Sequence, residues 1–204
     1  MEPISVALSA GGKSSRMGRD KGLLPFMGKP LYQYILDQLT GFTDDTFLIA
    51  NYDRGYESYR VFPDKIPDIG ALGGIFSALS YSQHDLCLVL ACDMPFISMP
   101  IIELLRTSIG DNDVAISQVG AGLLEPFRAI YRKACLSSIE KAINDGERRA
   151  TGFLSSMKTT ILPEDAVIQV DPNLESFLNI NTPAELAQVE AIARKRGLES
   201  RTGD

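Results

Sequence analysis

The chain contains one continuous apolar segment that restricts its fold more than any other feature. In "DLCLVLACD", residues 85–93, all residues between the two aspartates are apolar, without the alternation of a strand that faces solvent. Such a strand is covered on both faces, as at the centre of a parallel sheet. Strand and helix patterns alternate through residues 1–120, which is typical of parallel sheets with right-handed crossovers. We therefore predict an α/β fold.

The remaining residues extend this sheet within a single domain. A length of 204 residues with 45% hydrophobic residues suits one core. In residues 121–197, "PFRAIY" indicates a strand, "KTTILPEDAVIQV" a small β-hairpin and "NTPAELAQVEAIARKRG" a closing helix. Residues 198–204 are expected to form a frayed tail. The prediction is a three-layer domain with a mostly parallel central sheet, helices on both faces and a hairpin appendage.

Charge and cysteine usage exclude several classes of protein. The formal net charge of -6 and the pI near 4.9 argue against general nucleic-acid binding. No apolar run reaches the ~18 residues that span a bilayer, and the N-terminus lacks the basic leader of a signal peptide. Cys87, Cys92 and Cys135 lack the spacing of a metal site, so we expect buried, reduced thiols in a cytoplasmic protein.

A glycine-rich segment with four cations follows the first predicted strand, "ISVALSA". The segment reads "AGGKSSRMGRDK", residues 10–21, and it is unusual in so acidic a chain. Ligands of α/β sheets bind at the carboxyl ends of strands. Glycines let backbone N–H groups approach an anion, and Lys and Arg neutralise phosphate charge. The segment predicts a nucleoside triphosphate site, although composition alone leaves a solvated loop open.

Two common phosphate-binding loops do not fit this segment. "GKS" matches the end of a P-loop, but Ala7 stands where that motif needs a glycine. The dinucleotide pattern G-x-G-x-x-G is absent as well. A P-loop kinase or GTPase is therefore disfavoured.

The segment resembles the nucleotide-binding signature of the molybdenum cofactor guanylyltransferases and of the wider family of sugar-nucleotide and cytidylyl transferases. The family form, A-G-G-x-S-x-R-M-G-x-D-K, is met at every fixed position. "DIGALGGIFSAL", "LACDMPFI", "GERRATGFL" and "FLNINTPAEL" are similar to further family segments. The resemblance implies a Rossmann-like nucleotidyltransferase fold, with a nucleotide-binding half in residues 1–120 and a pterin-substrate half in residues 121–197.

The resemblance also implies an activity and its ligands. The activity is transfer of GMP from GTP to molybdopterin, with release of pyrophosphate and with Mg²⁺ as cofactor. It further implies transient contact with other molybdenum-cofactor proteins and recipient molybdoenzymes. A related cytidylyltransferase and a non-catalytic nucleotide-binding module remain alternatives.

Three residues are predicted to act in catalysis. Asp93 ends the strongest strand, and a carboxylate at the mouth of the sheet suits Mg²⁺, although a turn aspartate before Pro95 is an alternative. Lys21 is expected to reach the phosphates, assisted by Arg16. For both cations the alternative is a solvated or ion-paired surface position.

Base and pterin contacts are predicted from strand ends and from the resemblance. Asn51 and Asp64 follow two strands at the same edge, with Asp68 as an alternative to Asp64; turn formation is the competing explanation. The predicted nucleotide-binding set is Ser9, Ala10, Gly11, Gly12, Lys21, Asn51, Asp64 and Asp93. The predicted pterin-substrate set is Arg148, Arg149, Asn179 and Asn181, although helix capping alone would account for Asn181.

Overall fold

A computed structural model describes residues 2–10, 21–51 and 55–202. In these ranges seven strands form the main sheet, in the order β5-β4-β1-β6-β8-β7-β9, and two form a separate hairpin, β2-β3. The strands are β1 Ile4–Ser9, β2 Pro25–Phe26, β3 Lys29–Pro30, β4 Thr46–Ile49, β5 Arg60–Phe62, β6 Leu86–Ala91, β7 Val114–Val119, β8 Leu123–Arg132 and β9 Thr159–Leu162. In the main sheet only β8 runs antiparallel to its neighbours, β6 and β7. The predicted α/β class is confirmed.

Helices cover both faces of this sheet. They are α1 Leu31–Asp37, α2 Ala71–Tyr81, α3 Met99–Ser108, α4 Cys135–Asn144, α5 Glu164–Val170 and α6 Pro183–Thr202. The buried residues of α2 and α4 pack on one face, and those of α1, α3, α5 and α6 pack on the other. The sheet and the helices on its two faces form three layers. Each helix buries one apolar stripe against the sheet.

β6 lies at the centre of the sheet, as its sequence predicts. Leu88 and Leu90 belong to one apolar cluster, and Cys87 and Val89 belong to the other. Consecutive side chains of a strand point to opposite faces. A strand that is apolar at every position therefore suits only a place between two helical layers.

The predicted hairpin in residues 158–170 is wrong. β9 pairs in parallel with β7, and the chain then forms α5 instead of a second strand. Pro163 precedes this helix and two acidic residues occupy its first turn, where they complement the helix dipole. A separate small hairpin is formed instead by β2-β3, whose turn contains Met27 (φ 49°) and Gly28 (φ 84°), as a tight hairpin turn requires.

The strands predicted at "ISVALSA", "DLCLVLACD" and "PFRAIY" agree with β1, β6 and β8 to within a few residues. α6 extends to Thr202, into the segment that was expected to form a frayed tail. Within the described ranges, every helix is too short or too polar to cross a membrane.

The cysteines give a test of this packing. Cys87, Cys92 and Cys135 are buried thiols, and burial raises the pKa of both Cys87 and Cys135 to about 12. At pH 8 only about one in 10,000 of these two thiols is then ionised. We expect a thiol-reactive disulfide reagent at pH 8 to modify none of the three cysteines of the folded protein within minutes. In denaturant it should modify all three, and rapid reaction of the folded protein would contradict the burial of these side chains.

Candidate active site

The site is built where β1 and β6 end side by side. Ser9 pairs with Ala91 in the parallel register. One residue later the Cys92 N–H donates to the Ser9 carbonyl (3.0 Å), and the Ala10 N–H donates to Ile49 at the end of β4 (2.9 Å). The chain leaves β1 next to Asp93. Because β4 and β6 lie on opposite sides of β1, this is the crevice where open α/β sheets bind ligands.

Lys21 contributes the cation of this crevice. It begins a short 3-10 turn, Lys21–Leu23, which the Leu24 N–H closes by donating to the Lys21 carbonyl (3.1 Å). The Lys21 Nζ donates to Asp93 Oδ2 (3.1 Å) and to Asn181 Oδ1 (2.7 Å). The side chains of Lys21 and Asp93 are 19% and 26% exposed. A ligand entering the crevice can therefore reach both groups.

Gly22 allows this turn to lie against its neighbours. A Cβ at Gly22 would stand 2.7 Å from the Tyr56 Oη and 3.3 Å from the Cβ of Ala10. The first distance is shorter than van der Waals contact, and Tyr56 is itself buried and stacked edge-on against Tyr32. Glycine at position 22 thus sets the position of the preceding lysine.

Asn181 reaches the crevice from the other half of the chain. The Ile180 N–H donates to the carbonyl of Asp93 (2.8 Å), which ties the two segments together. Thr182 and Glu185 form a capping box at α6: the Glu185 carboxylate accepts from the Thr182 N–H (2.8 Å), and Thr182 Oγ1 accepts from the Glu185 N–H (3.2 Å). Since Thr182 caps the helix, the Asn181 amide is free to face Lys21.

The oxygens of Asp93 and Asn181 fit a hard cation. Both converge on one ammonium group, so a cation is already accommodated between them. Mg²⁺ prefers oxygen ligands and is usually bound by one or two protein groups together with substrate phosphates. Within the described ranges, no cluster of three or more His, Cys, Asp and Glu residues could hold a metal by itself. The donor set suits a metal that arrives with a nucleotide.

Asn51 and Asp64 form a pair at the ends of β4 and β5. The Asn51 amide donates to Asp64 Oδ2 (3.1 Å), and the Asp64 N–H donates to Asn51 Oδ1 (3.1 Å). Asp68 lies further along, in the turn before α2, with a left-handed φ of 63°. The predicted base-contacting residues therefore lie at the edge of the sheet that carries Asp93.

The N-terminus of α2 comes close to the same edge. A Cβ at Gly74 would lie 3.6 Å from Ser9 Oγ, an ordinary contact. A Cβ at Gly73 would lie 2.8 Å from the Cβ of Ile69, so packing explains that glycine. Ser9, the last residue of β1, thus lies next to the first turn of α2.

Other predicted residues lie apart from Lys21. The Arg148 guanidinium donates to the carbonyls of Ile143 (3.3 Å) and Glu147 (2.7 Å) at the end of α4. Arg149 is 80% exposed and pairs with the Glu147 carboxylate, whose pKa it holds at about 2. Within the described ranges, no hydrogen bond or ion pair joins these arginines to the Lys21 group. Asn179 is exposed beside Asn181.

Several predicted residues of the glycine segment, namely Gly11, Gly12 and Arg16, lie outside the residues that the structure describes. Ala10, at one end of that segment, is buried against the core, and Lys21 stands at the other end. The two ends of the segment therefore border the crevice.

Glu125 and Arg128 on β8 were not predicted from the sequence. Pairing of β8 with β7 changes register between Ile116↔Ala129 and Ser117↔Glu125, so residues 126–128 form a bulge. Burial raises the pKa of Glu125, and the charge of Asp93 raises it further. Burial lowers the pKa of Arg128 to about 10, so this guanidinium stays charged at pH 7. Pro126 within a strand was the available signal, because proline in a strand marks an edge or a bulge.

The chain resembles known proteins over most of its length. The family model described as "MobA-like NTP transferase domain" matches residues 6–160, more than half of the chain. A protein of Clostridium perfringens (strain 13 / Type A) named "Probable molybdenum cofactor guanylyltransferase" is 35% identical over 188 residues. That alignment covers 89% of this chain and 93% of the relative.

Solved structures also resemble this chain over most of its length. "Molybdopterin-guanine dinucleotide biosynthesis protein A" from Archaeoglobus fulgidus superposes with a TM-score of 0.80 at 28% identity, covering 94% of this chain and 99% of that one. The 2-C-methyl-D-erythritol 4-phosphate cytidylyltransferase of Thermus thermophilus superposes with a TM-score of 0.68 at 16% identity, covering 94% and 99%. The second likeness shows the fold alone, and together they confirm the predicted nucleotidyltransferase fold.

Gly22 allows a test of how Lys21 is held. Gly22→Ala places a methyl group against the Tyr56 hydroxyl, and overpacking of this kind costs about 1–3 kcal/mol. We expect a lower unfolding midpoint and weaker GTP binding by calorimetry. Adding Tyr56→Phe removes the closest atom, so the double variant should recover part of both losses. Wild-type stability and affinity in Gly22→Ala would contradict this geometry.

Proposed function

This chain belongs to the MobA-like NTP transferase family and is a nucleotidyltransferase, and on that premise we propose that it transfers GMP from GTP to molybdopterin. The products are molybdopterin guanine dinucleotide and pyrophosphate. The names of the relatives in Clostridium perfringens and Archaeoglobus fulgidus support this choice of substrates.

The observation that carries the proposal is the contact of Lys21 with Asp93 and Asn181. It joins a cation, a carboxylate and an amide oxygen at the crevice between β1 and β6. A nucleotidyl transfer needs a cation at the α-phosphate and oxygen ligands for a divalent ion, both within reach of the leaving pyrophosphate. These side chains supply both requirements.

The reaction is an in-line displacement at the α-phosphorus of GTP. A phosphate oxygen of molybdopterin forms the new P–O bond, while the bond to the oxygen that bridges the α- and β-phosphates breaks. The electron pair leaves with pyrophosphate. Lys21 neutralises charge that develops on the α-phosphate and on the leaving group, with Arg16 assisting from the glycine segment. Positioning and charge stabilisation suffice, so no protein nucleophile is required.

Mg²⁺ is the proposed cofactor, and Asp93 with Asn181 would hold it. When bound, it supplies Lewis-acid polarisation of the phosphate oxygens and a template for the triphosphate. The Lys21 ammonium then moves from the Asp93 carboxylate to the phosphates. It can do so because the carboxylate and the phosphates are both anions that lie in the crevice between β1 and β6. Asp93 therefore orients the triphosphate, and the glycine segment, with Gly11 and Gly12, provides backbone N–H groups to it.

Base recognition is assigned to Asn51 and Asp64. Guanine offers its N1–H and N2–H₂ groups as donors, and a carboxylate accepts both at once. The Asp64 carboxylate is already oriented by the Asn51 amide at the edge of the crevice. Ser9 and Ala10 complete the nucleotide site at the end of β1.

The pterin substrate is assigned to the half of the site that contains Asn179, Asn181, Arg148 and Arg149. Arg148 and Arg149 provide cations at the end of α4, and Asn181 contacts Lys21. Contact with recipient molybdoenzymes belongs to the same proposal. So does a cytoplasmic location, which the buried cysteine thiols support.

Asp93→Asn tests the metal-binding role. The substitution keeps the shape of the side chain and removes its charge. We expect pyrophosphate release from GTP and molybdopterin to fall at least about 100-fold, with an unchanged unfolding midpoint. Asp37→Asn, in an exposed pair with Lys29, is the matched control and should keep normal turnover. Normal turnover in Asp93→Asn would remove this residue from the mechanism.

The base preference tests the second assignment and separates the guanylyl from the cytidylyl alternative. With Mg²⁺ present, GTP should raise the unfolding midpoint more than CTP or UTP. Asp64→Asn should reduce the preference of GTP over CTP in calorimetry by about 10-fold. Asp68→Asn is the matched variant, because asparagine tolerates its left-handed backbone. If Asp68→Asn alone loses the preference for GTP over CTP, the base contact belongs to Asp68. A preference of the wild-type protein for CTP would overturn guanylyl transfer.

A further inference from the structure

Arg128 is a buried cation whose hydrogen-bonding capacity is largely unused. Its side chain is fully buried on β8. Within the described part of the chain, Nε and Nη1 have no hydrogen-bond partner, and Nη2 makes one long contact to the Met94 carbonyl (3.5 Å). A guanidinium can donate five hydrogen bonds. Most of this capacity faces no acceptor.

The neighbouring carboxylates are engaged elsewhere. Glu125 accepts from the Phe127 N–H (3.0 Å). Asp171 accepts from the Ser176 N–H (2.9 Å) and Oγ (2.6 Å), and from the Glu175 N–H (3.2 Å). Both carboxylates attract Arg128 through space, and neither serves as its hydrogen-bond partner. A buried charge without such a partner is costly, and apolar replacements are often at least as stable.

The position of Arg128 is set by the bulge of β8. On the other side β8 pairs with β6 through Arg128↔Leu90, three residues before Asp93. Bulges next to active sites often re-aim a side chain. Here the long contact reaches the carbonyl of Met94, which directly follows Asp93. The guanidinium therefore lies next to the backbone that directly follows the proposed catalytic carboxylate.

We propose that Arg128 binds the phosphate monoester of the acceptor substrate and holds it for attack on the α-phosphate. The identity of this acceptor as molybdopterin rests on the proposed function. Lys21 and the glycine segment are assigned to the triphosphate. Within the described ranges Arg148 and Arg149 bond at the end of α4 and not to Lys21, so the acceptor phosphate still needs a cation at the point of attack. A guanidinium can bind two of its oxygens at once and leave the third to react.

The ring of Phe177 lies over the Arg128 guanidinium, and the phosphate would reach the guanidinium from the side of this ring. The guanidinium carbon lies 5.5 Å from the ring centroid, and the ring is itself only partly buried. Phe177 belongs to the segment between α5 and α6 that contains Asn181, and Ile180 ties this segment to Asp93. Rotation of one aromatic side chain would expose the guanidinium at the crevice. The cation–π contact stabilises the charge until an anion replaces it.

The test measures both Michaelis constants and the unfolding midpoint of Arg128→Met. The Michaelis constant for molybdopterin should rise at least about 30-fold, since charged hydrogen bonds are lost, while that for GTP stays within about twofold of wild type. The unfolding midpoint should stay the same or rise. Arg106→Met is the matched control, because Arg106 also has a buried, unpartnered Nε and lies 5.5 Å from a ring, that of Phe42 on the α3 side. It should leave both constants unchanged.

A purely structural role predicts the opposite pattern. A lowered unfolding midpoint with an unchanged constant for molybdopterin, or an equal rise for both substrates, would overturn the proposal. If Arg128→Met does not fold, Arg128→Lys decides: it keeps the charge but loses the two-point geometry, so only the constant for molybdopterin should rise, by about 10-fold. A wild-type protein that releases no pyrophosphate from GTP and molybdopterin would instead overturn the proposed function and the identity of the acceptor.

Discussion

One contact holds the candidate site together: the Lys21 ammonium between the Asp93 carboxylate and the Asn181 amide oxygen. Its partners come from segments 72 and 160 residues further along the chain, so only the complete sheet brings them to one point. The contact is partly exposed and polar. Its cation can therefore be transferred to an entering phosphate at little cost, whereas a fully buried pair would resist separation.

The rest of the fold fixes the three side chains that make this contact. The hydrogen bond from the Cys92 N–H to the Ser9 carbonyl aligns the ends of β6 and β1, and Gly22 lets the Lys21 turn approach them. The capping box of Thr182 and Glu185 begins α6 without using the Asn181 side chain. Local backbone requirements are met by other residues, which leaves the polar groups of the site available for a ligand.

The fold and the position of Asp93 at the edge of the sheet could be predicted because their signals are local. The apolar run of β6 specified a central strand, and Asp93 followed from its end. The prediction of a hairpin in residues 158–170 was wrong because short apolar runs are compatible with both strand and helix. Pro163 and the two acidic residues after it favour the start of a helix, α5. The burial of Arg128 could not be predicted from the sequence. It depends on the bulge of β8 and on Phe177, which come together only in the folded protein.

The central claim is that this crevice binds the triphosphate and its metal. A crystal structure with GTP and Mn²⁺, a substitute for Mg²⁺ with an anomalous signal, tests it most directly. The account predicts an anomalous peak at coordination distance from an Asp93 carboxylate oxygen, with the α-phosphate within hydrogen-bond distance of the Lys21 Nζ. A nucleotide bound elsewhere, with Lys21 still joined to Asp93 and Asn181, would contradict it.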